Sequence, residues 1–251
     1  MERIDDTGFG GIKVIQNKGS GYGVDAVLLA AFAAGETGAR GLPKNSSGVL
    51  RIADLGTGCG VAAFILHHKL RGAVMTGYDI NENAIDRAQR ACRINGLTED
   101  ISFICTDIKD IEASSDLDAV ISNPPYFRRT PDEPGASDPD ERYIARHETT
   151  ADIADFAEVS AGMLREGGHL YMVHRPDRLT DIITVMRAAG IEPKEMQLVV
   201  PAAGKAANIM LIHGIKGAGP ELKMLPEIAV RNTDGSYTKN IQTYYERMPD
   251  L

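Results

Sequence analysis

"ADLGTGCG", from Ala53 to Gly60, is the stretch on which the reading of the fold turns. A strand-like run, "VLRIADLG", leads into it from Val49, and a helix-like run, "VAAFILHHKL", follows it. Gly56, Gly58 and Gly60 let the backbone turn sharply and approach a ligand with no Cβ in the way. A helix starting directly afterwards presents free N–H groups at its first turn. In dinucleotide-binding proteins a loop of this kind holds a pyrophosphate. Asp54, ahead of the glycines, changes that expectation. A carboxylate there repels a pyrophosphate and suits the ammonium group of an amino-acid moiety, directly or through water.

Outward from this loop the pattern is regular. "AVMTGYDI" reads as a strand, and "NENAIDRAQRACRING" as a helix with an Asn start and a Gly stop. "ISFICTD" and "LDAVISN" are two further strands. Upstream, residues 24–34 form an apolar helix, followed by the loop "GETGARGLPKNSSG". Downstream, "RRTPDEPGASDPDERYIARHE" is a long polar loop, expected to order with ligand. Then come a helix, "TADIADFAEVSAGMLREGG", a strand, "HLYMVHRP", and a helix, "DRLTDIITVMRAAG". "PKEMQLVV" and "AANIMLIHGI" are a closing strand pair, and the tail from Ala218 is mixed. Strands alternating with helices imply a mostly parallel sheet covered on both faces. The expected fold is therefore α/β and Rossmann-like, a seven-stranded mostly parallel sheet with an antiparallel closing strand.

Two more acids follow the glycine loop in order. Asp79 ends the second strand, nineteen residues past Gly60, where a carboxylate can accept both hydroxyls of a ribose. Asp107 ends "SFICTD" and can accept from the exocyclic amine of an adenine. Taken singly, Asp79 reads as a cap for the helix near Asn81, and Asp107 as a turn residue. Three acids at three successive strand ends beside one glycine loop describe a pocket for S-adenosylmethionine. Thr57, Ile80 and Ile108, which flank these positions, join the candidate cofactor contacts.

Asn123 stands sixteen residues beyond Asp107, in "ISNPPYF" (Ile121 to Phe127), which stops the next strand along the crevice with two prolines. The ends of parallel strands are where open α/β sheets do their chemistry. Methyl transfer is an in-line displacement and needs a nucleophile held in line. An exocyclic amine is a poor nucleophile because its lone pair is delocalised into the ring. The Asn123 side-chain oxygen and the Pro124 carbonyl can each accept one N–H of that amine, which favours a pyramidal nitrogen. Pro124 and Pro125 stiffen the turn. Tyr126 offers a flat face to a planar base, a contact worth about 1–3 kcal/mol. Phe127 extends that wall or belongs to the core. No strong general base is required, since the amine becomes acidic only once methylated. Asn123 also joins the cofactor-contacting set.

Composition bounds the rest. The chain has 251 residues, 43% of them hydrophobic and 25% charged, and its net charge is −8. That balance argues against a general nucleic-acid coat, though it is compatible with a local basic patch. Cys59, Cys92 and Cys105 form no CxxC pair, which argues against a disulfide framework or structural zinc. The six histidines lack metal-ligand spacing, and the adjacent pair His67 and His68 is expected on the surface; no metal is expected. The start "MERIDDTGFG" is polar, and "VDAVLLAAFAAG" is too short to span a bilayer. A soluble, cytoplasmic protein is the expectation.

The order "DLGTGCG", "YD", "TD", "NPPY" resembles the amino-methylating class I methyltransferases over roughly residues 50–215. That class includes DNA adenine, rRNA guanine-N2 and release-factor glutamine enzymes. "GSGYGVDAVLLAAFA" upstream, "ARHETTADIADFAEVSAGMLREGG" downstream, and the C-terminal "AGKAANIMLIHGIKGAGPELKMLPEIAV" and "DGSYTKNIQTYY" narrow it. The whole-chain arrangement is similar to the tRNA(Val) adenine-N6 methyltransferase family, itself similar to the "small" methyltransferase-like group. The resemblance implies methylation, with S-adenosylmethionine as cofactor, of the adenine beside the anticodon of a valine tRNA. It also implies that Tyr22 and Asp25 help close the cofactor pocket, Asp25 reading equally as a helix cap. Arg146, in "ARHE" (Ala145 to Glu148), would order the long loop over the target base or serve in a salt bridge. Arg128, Arg129, Lys194, Lys205 and Lys216 are the candidate phosphate contacts. The expected division is an N-terminal extension (1–48) packing on the cofactor pocket, a methyltransferase domain (49–216) and a C-terminal extension (217–251). The alternatives are an rRNA guanine-N2 or protein glutamine-N5 enzyme, or a non-catalytic S-adenosylmethionine- or RNA-binding module.

Overall fold

A computed structural model describes the chain except for residues 18–21, 43–48, 129–142, 144–146, 149 and 247–251. Arg129, Arg146 and most of the long polar loop therefore lie outside the described residues. A hairpin of β1 (Glu2–Asp6) and β2 (Lys13–Asn17) precedes α1 (Val24–Ala33). Next come β3 (Arg51–Leu55), α2 (Val61–Leu70), β4 (Val74–Asp79), α3 (Glu82–Asn95), β5 (Ile101–Cys105) and β6 (Leu117–Ser122). Two short strands beyond β6, β7 (Phe127–Arg128) and β8 (His147–Glu148), pair in parallel. They are followed by α4 (Ile153–Met163), β9 (Leu164–His174), α5 (Leu179–Ala188), β10 (Ile191–Ala202) and β11 (Ile209–Lys216). The tail supplies β12 (Lys223–Met224), β13 (Ile228–Arg231) and α6 (Lys239–Tyr244).

The main sheet runs β10-β11-β9-β6-β3-β4-β5, and only β11 is antiparallel to its neighbours. These are the seven strands expected. Two more were not foreseen: β12 and β13 each pair in parallel with the outer edge of β10, which makes nine among the described residues. At two and four residues their segments are too short to announce strands; the open edge of β10 supplies the pairing.

Alternation within the strands explains the two covered faces. Ala119 and Ile121 of β6, with Tyr171 and Val173 of β9, enter one core with α1, α2, α3 and the hairpin. Val120, Leu170 and Met172, one residue out of phase, enter a second core with α4 and α5. The start of α3 is set by Asn81, whose side chain accepts from the Ala84 N–H, and its end by Gly96 in the left-handed region. Asp152 and Asp155 form a reciprocal capping box at the start of α4.

Two expectations need correcting. The helix expected to run to Gly168 stops at Met163, because Leu164 turns extended and pairs with Leu117 of β6. His67 is buried rather than exposed, its Nδ1 lying 2.9 Å from the Ala73 carbonyl. The helix α2 is buried almost all round, so that helical spacing there does not mark a wet face. His68 keeps partial exposure and meets Glu246 at 2.9 Å. Among the described residues no helix is long and apolar enough to cross a membrane.

Candidate active site

From β3 the chain winds outward through β4 and β5, then returns to place β6 on the other side of β3. This reversal opens a crevice at the carboxyl ends of β3 and β6. The turn after β6 thus lies beside the glycine loop, on the side away from Asp107, and not next to Asp107 as expected. Ser122 pairs with Leu55, and its hydroxyl donates to the Leu55 carbonyl at 2.8 Å. One residue further, Gly56 faces Asn123: a Cβ on Gly56 would sit 3.9 Å from the Asn123 carbonyl oxygen and 3.5 Å from the Phe156 ring. A Cβ would meet only ordinary contacts there; it is the φ of 75° that favours glycine.

Asp54 is fully buried. Its carboxylate accepts from the Thr57 hydroxyl at 2.7 Å and from the Ala63 N–H in the first turn of α2. Burial outweighs both bonds and, with the neighbouring charge of Asp79, pushes the Asp54 carboxyl up to about 7. Asp79 accepts the Gly58 N–H at 2.8 Å and the Asn81 N–H at 2.9 Å. Burial raises its carboxyl too, against those two bonds and the charge of Arg87. Both carboxylates are held mainly by neutral donors, so a cationic or hydroxyl-rich ligand improves their environment. The S-adenosylmethionine ammonium and ribose fit that need. Asp107 is half-buried and caps a short 3₁₀ turn through the Lys109 N–H, at 3.0 Å. Ile80 is exposed beside this end of the sheet, whereas Ile108 packs into the second core and Thr57 turns inward onto Asp54.

The Asn123–Tyr126 turn is braced from two sides. The Tyr126 hydroxyl donates to the Asp25 carboxylate of α1 at 2.8 Å. Burial and the Asp25 charge hold that phenol far above its ordinary value, and burial raises Asp25. Asp25 is therefore not the cap of α1, which starts at Gly23 without any side-chain cap. Tyr22 packs against the first core, and its hydroxyl donates to the Thr7 carbonyl at 3.4 Å. On the opposite side the edge of His174 meets the Tyr126 ring, the centroids 5.2 Å apart.

Beyond Tyr126 the surface carries an aromatic ring and paired charges. Phe127 is exposed, with the Arg175 guanidinium 5.3 Å over its ring. Arg128 pairs with Asp181 at 2.7 Å, and Arg178 joins Asp181 at 2.7 Å to Glu148 at 3.0 Å. Lys205 is exposed between β10 and β11, at the end of the sheet that carries the crevice. Lys194 and Lys216 stand at the other end and are engaged by carbonyls, those of Gly219 and Pro220 and those of Ala161 and Leu164. Sequence reasoning missed His174, Arg175 and Arg178. Their one signal was position, just past the apolar run of β9.

This arrangement defines a class I methyltransferase, and the comparisons agree. The methyltransferase small domain family matches residues 39–136. In fold the chain is similar to a predicted O-methyltransferase from Agrobacterium tumefaciens (TM-score 0.67, 22% identity, 88% of this chain and 95% of that one). It is also similar to a geranyl diphosphate C-methyltransferase from Streptomyces coelicolor (TM-score 0.54, 12% identity, 75% and 80%). Two curated relatives are tRNA1(Val) (adenine(37)-N6)-methyltransferases. That of Tolumonas auensis is 28% identical over 76% of this chain and 78% of its own length; that of Bacteroides fragilis is 25% identical over 90% and 91%. The chain is similar to these relatives and is a methyltransferase with S-adenosylmethionine as cofactor.

Proposed function

We propose that the protein methylates the exocyclic N6 of an adenine in tRNA, the adenine beside the anticodon of a valine tRNA, in the cytoplasm. One observation carries the reading: the Asn123–Tyr126 turn stands against the glycine loop across the paired ends of β3 and β6. When bound, S-adenosylmethionine supplies an electrophilic sulfonium methyl. Asp54 receives its ammonium, Asp79 its ribose hydroxyls and Asp107 its adenine amine. Gly56, Gly58 and Gly60 keep the approach clear, with Tyr22 closing the N-terminal side. The target amine gives one N–H to the Asn123 amide oxygen and one to the Pro124 carbonyl, and its lone pair points at the methyl. Tyr126, its hydroxyl fixed by Asp25, presents its ring to the base. Phe127, Arg128 and Lys205 meet the flanking nucleotides, and the spent proton leaves to water. An adenine in a tRNA loop is already partly unstacked, so presenting it costs less than in a duplex.

The test is transfer from labelled S-adenosylmethionine to total tRNA lacking its native modifications, followed by digestion and mass spectrometry of the nucleosides. N6-methyladenosine from a valine tRNA is the expected product. Transfer only to rRNA guanine or to a protein amide removes the tRNA substrate and keeps the pocket.

A further inference from the structure

β6 and β9 run side by side in parallel, with Ser122 opposite Met172, so the residues just past the two strand ends come together at the mouth of the crevice. Two ring contacts join them there. The Tyr126 ring meets the edge of His174, the centroids 5.2 Å apart. One residue further on from each, the Arg175 guanidinium stands 5.3 Å over the Phe127 ring. Phe127 is 41% exposed and the Arg175 side chain 40%. The other arginines of this rim are taken up by carboxylates: Arg128 pairs with Asp181, and Arg178 spans Asp181 and Glu148. Arg175 is held differently. Its Nε donates to the exposed Asp177 at 3.4 Å, and among the described residues neither of its terminal nitrogens makes a hydrogen bond.

A guanidinium seated on an aromatic ring is already partly ordered, so it loses less freedom when it binds. Its two open –NH2 groups form a planar fork, the geometry that takes a phosphate through parallel N–H···O bonds. Asp177 engages only Nε, so a phosphate displaces no protein hydrogen bond from the fork. We infer that Arg175, seated on Phe127, binds the RNA backbone phosphate next to the target adenine. This rests on the reading above of Tyr126 as the face that receives the base; the Phe127–Arg175 pair is the next step outward from that face. The rim therefore fits a substrate whose reacting amine is strung on a phosphate backbone, and a protein glutamine offers Arg175 no such group.

The test is binding of the full chain to a valine tRNA anticodon hairpin, read by fluorescence anisotropy over a salt series. Arg175→Ala should weaken binding about tenfold, the scale of one charge-assisted hydrogen-bonded contact, and should flatten the slope of log K against log salt by about 0.7. At saturating RNA its kcat should stay within about twofold of wild type, because the guanidinium touches no reacting atom. Arg175→Lys should restore the slope, since the charge returns, but only part of the affinity, since the fork does not. Hairpins carrying a neutral methylphosphonate on one or the other side of the target adenine locate the contact. One of the two should weaken wild type about tenfold and leave Arg175→Ala unchanged. Equal losses in both proteins, or unaltered affinity and slope in Arg175→Ala, overturn the inference. If Arg175→Ala binds RNA less tightly but the wild type methylates no tRNA adenine, the proposed substrate falls and the phosphate contact stands. A wild type without salt-dependent affinity for RNA overturns both.

Discussion

The two sides of the crevice are built on opposite electrostatic plans. On the β3–β4 side, Asp54 is buried and Asp79 half-buried among backbone N–H groups and a hydroxyl, and desolvation raises both carboxyls. On the β6–β9 side, the turn from Asn123 to Tyr126 offers neutral acceptors, its charged neighbour Asp25 being taken up by the Tyr126 hydroxyl. A buried charge selects a cation. A neutral acceptor pair orients an amine without capturing it as an ammonium, whose lone pair would be lost. One side is thus suited to hold and the other to aim, and mutations should separate the two.

The largest effect is expected on the aiming side. Asn123→Ala should lower kcat by about 10²–10³-fold, the scale of removing one preorganised polar group, with the cofactor Kd within a few-fold of wild type. Single-turnover kinetics beside calorimetry measure both. On the holding side Asp79→Ala should do the reverse, weakening S-adenosylmethionine by roughly 30-fold, the scale of losing charge-assisted hydrogen bonds, with kcat at saturation little changed. A parallel loss of kcat and affinity in either variant would break the division.

The pH dependence sharpens it further. With Asp54 raised from 3.8 to about 7, cofactor affinity should fall about tenfold between pH 8 and pH 6, as the carboxyl takes up a proton. Stability of the free protein runs the other way. A carboxyl raised in the folded state favours folding when protonated, and that contribution is lost as pH rises from about 4 through about 7. Asp54→Asn should therefore flatten the pH dependence of binding and raise Tm at pH 8. A melting series with and without S-adenosylmethionine tests both signs.

The smallest effect belongs to the brace between the two sides. Tyr126→Phe removes the hydroxyl bonded to Asp25 at 2.8 Å and should cost about 1–2 kcal/mol of stability, read in a urea titration, with kcat lowered about threefold. Asp25→Asn in the same background should recover part of that stability, since it removes the charge left unpaired.

What the sequence disclosed and what it withheld follow from range. The glycine loop, Asp79 and the proline pair sit at strand ends that local pattern marks, so the crevice was legible. So were the caps of α3, since Asn81 and Gly96 act within their own turns. The partner of Tyr126 was not, because Asp25 lies 101 residues away and meets it only once α1 packs over the sheet. Arg175 was hidden for a similar reason: in sequence it merely follows an apolar strand, and its place over Phe127 comes from the register of β9 against β6. The burial of His67 depended on what covers α2, which no periodicity within α2 reports.

The tail strands have a consequence of another kind. β10 is 12 residues long and mostly buried, and without β12 and β13 it would present a row of unpaired N–H and C=O groups at the rim of the sheet. Such a rim is a template for any other extended chain. Two short pairings, Lys223–Met224 and Ile228–Arg231, occupy it, and Lys223 and Arg231 add charge where a stranger would dock. Removing these two strands should therefore raise self-association at high protein concentration, read by light scattering.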